Sequence, residues 1–207
     1  LASLNQPTLT LSNSKILNMN AAGLFAQGST IKAWNSIFAN CGQFAIALTI
    51  GGSYEFYHCT IFNNWYYTNR QTPSVWLNNY YKDINGNYQV RPLEKAIFAN
   101  TILYGNKETE VLIDEFPSSP IFNYEFKNCL IKAGTDVNTT NTNHWINIFK
   151  NEPPKLKDPT NEKFELDSLS FCINKGDLNV GALFPWDFNG NSRISDNMPD
   201  LGAFERP

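Results

Sequence analysis

One short pattern occurs five times along the chain: Ser14-Lys15-Ile16-Leu17, Asn35-Ser36-Ile37-Phe38, Cys59-Thr60-Ile61-Phe62, Asn100-Thr101-Ile102-Leu103 and Asn128-Cys129-Leu130-Ile131. Taken at the Ile/Leu column, the spacings are 21, 24, 41 and 28 residues, so 41 reads as one repeat plus an insertion, or as two repeats. A period of about 20–25 residues is the signature of a solenoid, in which each repeat buries its apolar face only against its neighbours. Alternation continued upstream places Ser12, Ala33, Tyr57, Phe98 and Phe126 on the same side as the Ile/Leu column. The strands are short, no amphipathic helix separates them, and the L-x-x-L-x-L frame of a leucine-rich repeat is absent. The expected fold is therefore all-β, a parallel β-helix (solenoid) forming a single domain over residues 1–207. Coils are expected over 1–64 and 96–133, an aromatic insertion over 65–95, a loop over 134–163 and a capping block over 164–207.

The composition agrees. Charged residues make up 17% of the 207, against the usual ~25%. The 28 Asn supply polar surface in their place. Asn tolerates left-handed backbone and bonds its own main chain, so Asn18, Asn20, Asn40, Asn63, Asn64 and Asn106 suit the bends that follow the motifs. Stacked in successive coils, such side chains can bond one another along the axis.

Several functions are excluded. A net charge of −3, a pI near 5.4 and the lack of a Lys/Arg cluster argue against nucleic acid and anionic membranes. No apolar run reaches the ~18 residues of a membrane span. Cys41, Cys59, Cys129 and Cys172 have no CxxC spacing and read as buried free thiols rather than zinc ligands. His58 and His144 share no ligand spacing. The chain starts at Leu1 with no charged or apolar leader segment, which reads as a piece of a longer protein whose signal has been removed or lies outside it.

The C-terminal block runs Phe164-Glu165-Leu166-Asp167-Ser168-Leu169-Ser170-Phe171-Cys172-Ile173-Asn174-Lys175-Gly176. It continues through Asp187-Phe188-Asn189-Gly190-Asn191-Ser192-Arg193 to Asp200-Leu201-Gly202-Ala203-Phe204-Glu205. It resembles the end of bacterial right-handed parallel β-helix proteins of the choice-of-anchor Q type, F-x-L-x-x-x-S-P-x-I-D-x-G, D-x-x-G-x-x-R, D-x-G-A-[YF]-E, which implies a right-handed coil here. Ser170-Phe171 and Ile173-Asn174 depart from that pattern. The resemblance covers about a fifth of the chain. It implies the pectin-lyase-like superfold and an exported cell-surface protein or lipoprotein, often of Bacteroidetes, anchored through a segment outside this chain. Asp167-Ser168-Leu169 also fits the acceptor pattern for O-glycosylation in such bacteria.

Read without that resemblance, the block suits a cap over the last coil, with Phe184, Pro185, Trp186, Phe188, Leu201 and Phe204 covering apolar surface. Arg193 would bridge Asp187, Asp200 or Glu205. Asp187-x-Asn189-Gly190 begins like a calcium loop but lacks the ligand alternation and closing Glu, so no cofactor or metal is expected.

For chemistry, hydrolases need clustered carboxylates, yet the repeats place no Asp or Glu in strand columns, and Glu108-Glu110 and Asp114-Glu115 read as solvated turns. Lyases need a Lys or Arg base; Lys82, Arg91 and Lys95 read as surface residues. The candidate ligand-binding residues are Trp65, Tyr66, Tyr67, Trp76, Tyr80, Tyr81 and Tyr88, with Asn85-Gly86 as a hairpin turn between Tyr81 and Tyr88. Such rings stack on sugars or anchor a protein interface; the alternative is a local core shielding the coil. The leading expectation is a non-catalytic surface module binding glycan or a partner protein. The rivals are a polysaccharide lyase or glycoside hydrolase and an architectural subunit of an outer-membrane assembly.

Overall fold

The computed structural model describes residues 8–206 apart from Ser118, Pro120 and Asn197. Leu9–Ser12, Lys15–Leu17 and Leu24–Gln27 form coil 1, followed by coil 2 (Thr30–Trp34, Ile37–Ala39, Ile46–Thr49) and coil 3 (Gly52–Tyr57, Thr60–Asn63, Val75–Asn78). Coil 4 is Leu93–Ala99, Ile102–Gly105 and Val111–Asp114; coil 5 is Glu125–Lys127 and Leu130–Ile131; coil 6 is Trp145–Ile146 and Phe149–Lys150. Equivalent strands pair in parallel, giving a first and a second sheet of six strands each and a third of four. The 41-residue interval is one coil with insertions. An antiparallel hairpin, Tyr80–Lys82 with Tyr88–Val90, leaves coil 3 after its third strand, with Gly86 in the left-handed region of its turn. The aromatic stretch 65–95 is therefore not one insertion, since Val75–Asn78 and the start of Leu93–Ala99 belong to coils.

The core is a set of ladders, because parallel strands in register bring like residues over one another about 4.8 Å apart. Phe56, Phe98, Phe126 and Trp145 stack face to face at successive centroid distances of 4.9, 4.9 and 4.6 Å. Leu48 and Leu77 line the third sheet's inner face, and Phe38, Ile61, Leu103 and Ile131 the second's.

The register differs from the expected column. Lys15, Ile37, Thr60, Ile102 and Leu130 align, while Ile16, Phe38, Ile61, Leu103 and Ile131 form the inward column. Ile16 and Ile61 thus point opposite to Ile37, Ile102 and Leu130, and the matching upstream residues are Leu11 and Phe56, not Ser12 and Tyr57. Two causes combine: the bend between the first two sheets breaks alternation upstream of the motif, and Ile16 and Ile61 sit one residue further past that bend than Ile37, Ile102 and Leu130 do. Asn13, Asn35, His58, Asn100, Asn128 and Asn147 occupy equivalent places there, all with φ between 46° and 51°. A left-handed residue interrupts strand alternation, so parity does not carry through it. Ile37-Phe38, Ile102-Leu103 and Leu130-Ile131 are apolar at both positions, so residue type did not reveal the slip.

The second sheet's outer face is covered by the C-terminal block. Phe164, Ala203 and Phe204 pack on Ile37 and Ala39; Leu166, Cys172 and Leu201 pack on Ile102 and Leu130. The block is thus a lateral strap, not an end cap. At the C-terminal end of the coils, Trp145 closes the aromatic ladder, and Val137 and Ile148 pack against the same core. That stretch lies within 134–163, which also contains coil 6 and the first strand of a second hairpin, Leu156–Asp158 with Lys163–Leu166, that runs on into the C-terminal block, rather than being a loop.

The bend asparagines hold the strap. Asn13 donates to the Phe188 carbonyl (3.1 Å), Asn35 to Trp186 (2.7 Å), Asn100 to Asp177 (3.0 Å) and Asn128 to Lys175 (3.0 Å). The Asn-to-Asn ladder expected after the motifs is replaced by side-chain-to-main-chain bonds, with the Asn63 and Asn106 amides donating to the carbonyls of Gln43 and Trp65; at the bend before the motifs Asn147 donates to Asn128 (3.4 Å). Within the strap, the buried Arg193 donates to Glu205 (3.3 Å), Asn35 Oδ1 (3.0 Å) and the carbonyls of Gly202 and Ala203. Burial pulls its guanidinium down to about 10, which leaves it charged at neutral pH. Asp187 accepts from the Asn189, Asn191 and Glu205 amides and from Asn191 Nδ2. Asp200 accepts from the Asn174 and Arg206 amides. With its oxygens already filled by N–H donors, Asp187 is a turn and strap anchor; no group of three metal-ligating side chains occurs among the described residues.

Candidate functional site

The seven aromatic residues divide into two clusters. The first sits where coil 3 turns from the second sheet to the third. Trp65 is 6% exposed, and its indole donates to Thr68 Oγ1 (2.9 Å) while its carbonyl accepts from Asn106 Nδ2 (2.7 Å). This anchors two neighbours that stand in solvent: Tyr66 and Tyr67 are 62% and 63% exposed, with ring centroids 4.4 Å apart and hydroxyls 3.1 Å apart. Tyr67 also packs on Trp65, at 4.9 Å. Together with Asn18, Asn20 and Thr68, Trp65 and Tyr67 line an open cleft of about 590 Å³. Two amides, a hydroxyl and two aromatic rings make this lining uncharged; Glu162 accepts from Asn18 Nδ2 (2.7 Å), which orients that amide.

The loop carrying these rings rests on a buried ion pair. Arg70 donates through both terminal nitrogens to Glu110 (2.6 and 2.9 Å) and also to Thr72, Asn63 and Asn106. Glu110 also accepts from Ser74 N and Oγ and from Lys107 N. Glu110 is therefore a buried structural carboxylate rather than a solvated turn residue. The same correction applies to Asp114, which ends a third-sheet strand and accepts from Trp76 Nε1 (3.1 Å), Asn78 Nδ2 (3.0 Å) and Tyr80 OH (2.9 Å).

Those contacts define the second cluster. Trp76 stacks on Phe44 at 5.2 Å, and Tyr80, Tyr88 and Phe116 pack mutually at 5.3–5.7 Å, pinning the hairpin to the third sheet. Here the rings form a surface cluster, with Trp76, Tyr80 and Phe116 half-buried and Tyr88 exposed. Adjacent strand residues face opposite ways, so Tyr81 lies on the other side, with the Arg91 guanidinium 5.8 Å from its ring centroid, beside another cleft of about 480 Å³. Lys82 sits over the Tyr88 ring at 4.8 Å.

The first sheet's outer face carries charge that the repeats did not disclose. Lys32, Glu55, Ile97 and Glu125 form one outward column, which corrects the expectation that strand columns hold no carboxylate. Burial pushes the Glu55 carboxyl up, but hydrogen bonds from Lys95 and Tyr57 and the charges of Lys95 and Lys32 outweigh it and hold the group below its usual value. A carboxylate locked in this way is a poor general acid, which a glycosidase pair requires. His144 stacks on Tyr124 (4.1 Å) with Nδ1 2.8 Å from its carbonyl, bordering a cleft of about 360 Å³ with Lys95 and Glu125.

Sequence reading found Trp65 and Tyr67 but not Asn18, Asn20 and Thr68 as their companions. The two asparagines belong to coil 1, two coils away, and only the stacking of coils brings them beside Trp65.

With the stacked parallel sheets in view, comparison with known proteins fixes the class. Residues 2–153 match the family described as the right handed beta helix region, and the chain belongs to that family. No curated protein and no solved structure matches it.

Proposed function

We propose that this chain is a non-catalytic surface module that binds a neutral glycan in the cleft between Asn18, Asn20, Trp65, Tyr67 and Thr68. The observation that carries the proposal is the uncharged aromatic-and-amide lining of that cleft. A sugar ring offers an apolar C–H face and a rim of hydroxyls. Tyr67 supplies a flat apolar surface for the first, while Asn18, Asn20 and Thr68 supply donors and acceptors for the second. Trp65, held by Thr68 and Asn106, fixes the platform before binding, which lowers the ordering cost of association. An uncharged lining favours neutral chains over uronates, whose carboxylates would meet no cation there. The resemblance of the C-terminal block supports an exported, cell-surface address for this activity.

The test is affinity electrophoresis and calorimetry across soluble polysaccharides, neutral and anionic, with the wild type and Tyr67→Ala. Binding of a neutral polymer that Tyr67→Ala weakens about tenfold, at unchanged thermal stability, supports the assignment. Binding that Tyr67→Ala leaves untouched, or binding restricted to anionic polymers, overturns it.

A further inference from the structure

His58 occupies in coil 3 the bend position that asparagine holds in the other five coils, and it is fully buried beneath the strap. Its Nε2 lies 3.1 Å from Asn100 Nδ2. Which of the two donates is settled by the other end of the amide. Asn100 Oδ1 accepts from the Asp177 main-chain N–H at 2.7 Å, so the nitrogen of the amide faces His58, and Nε2 is an unprotonated acceptor. The proton of the neutral ring is then on Nδ1, which has no hydrogen-bond partner. Asn100 Nδ2 also donates to the Asp177 carbonyl, and the Asn100 carbonyl accepts from Gly202 N at 2.8 Å. One asparagine thus joins the histidine to two strap segments.

We propose that His58 is an acid-sensitive latch for the strap: protonating its ring at Nε2 sets N–H against N–H at Asn100 and releases the segments around Asp177 and Gly202 from the second sheet. The surroundings reinforce this. Burial and the Arg193 charge disfavour the imidazolium and hold the ring well below its usual 6.5, outweighing the nearby backbones of Asp200 and Gly202, which favour it. The other charged groups near this junction are Asp187, Asp200 and Glu205 on the strap and the Lys127–Asp177 pair (2.9 Å); Cys59 follows in the chain.

The sign follows from linkage. A histidine whose docked value lies below its free value binds its proton mainly in the released state. Docking is then full above pH 6.5 and falls about tenfold per pH unit below it, until the docked ring itself titrates. Burial pushes the Asp200 carboxyl up and the Glu205 carboxyl up to about 8, so these two bind protons better when docked and act in the opposite sense. The difference between wild type and His58→Asn, which installs the residue used by the neighbouring coils, isolates the histidine.

The experiment measures hydrogen-exchange protection of the Asp177, Gly202 and Ala203 amides between pH 7.5 and 5 in both proteins. The expected result is protection in the wild type that drops, relative to His58→Asn, by about tenfold per pH unit below about 6.5. Parallel pH dependence in the two proteins overturns the latch. Should His58→Asn fold poorly, nitrogen-15 NMR of the wild-type ring decides: an Nδ1–H tautomer that takes up a proton only as those amides lose protection supports the proposal. A ring that titrates normally while the strap stays protected refutes it.

Discussion

Arg70 and Glu110 make a two-point ion pair across 40 residues of sequence with both side chains wholly buried, and every oxygen of the carboxylate accepts at least two N–H or O–H donors. The pair ties the loop bearing Trp65 and Tyr67 to coil 4. Removing one partner strands the other charge in the interior, which typically costs about 3–5 kcal/mol. Glu110→Ala and Arg70→Ala are each expected to lose that much in urea denaturation, and the double variant much less than the sum. Glycan affinity should fall in both single variants, because the aromatic platform loses its support.

Tyr67 offers a cleaner separation of binding from stability. Its ring is mostly exposed, with Trp65 and Tyr66 as its aromatic neighbours, so Tyr67→Ala should shift folding by no more than about 0.5 kcal/mol. Loss of a stacking face costs about 1–1.5 kcal/mol of affinity, roughly tenfold, read by calorimetry on the polymer that the wild type binds. Trp65→Ala should damage both properties, since that indole is buried.

Phe98 is stacked between Phe56 and Phe126, and its removal opens a void in the middle of the ladder. Phe98→Ala is expected to destabilise by about 3–5 kcal/mol, and Phe98→Leu by roughly half of that, measured as urea midpoints at constant slope.

These ladders explain what was legible in the sequence. A stack of coils repeats its apolar positions, so the short motif disclosed the architecture. Its phase stayed hidden because Ile37-Phe38, Ile102-Leu103 and Leu130-Ile131 are apolar at both positions. One member of each faces the interior, while the other faces the strap. The strap was recognisable as a block, but its partners Asn35, Asn100 and Asn128 look in the sequence like no more than the small polar start of the motif, and only the folded chain shows them as bends. The aromatic cleft was half legible for a similar reason: Trp65 and Tyr67 stand out by type, whereas Asn18 and Asn20 look like any other turn residues until the coils are stacked.

The cysteines should be silent in the folded state. Burial pushes the thiols of Cys59, Cys129 and Cys172 up to about 12 and raises Cys41 as well, so thiolate is scarce and access is blocked. Titration with a disulfide reagent at pH 8 should give almost no reaction with native protein and all four thiols after denaturation. Since the folded values lie above those of the unfolded chain, alkaline pH should destabilise the fold as the released thiols ionise.

Gly202 and Gly190 provide a matched pair for measuring how closely the strap approaches the coils. Both are left-handed, at φ 89° and 84°, so alanine at either pays a similar backbone cost of about 1–2 kcal/mol. They differ in surroundings. A Cβ on Gly202 would lie 2.7 Å from Thr60 Oγ1 and 2.8 Å from Ile102 Cδ1, whereas nothing lies within 4 Å of one on Gly190. Gly202→Ala must therefore displace the packed Thr60 and Ile102 side chains or lift the strap from the second sheet, straining the bonds from Gly202 N to Asn100 and from Ala203 N to Thr60. Its loss in urea denaturation should exceed that of Gly190→Ala by at least about 1 kcal/mol, with faster proteolysis confined to the strap. Equal losses in the two variants would show that the strap rides loosely over Thr60 and Ile102.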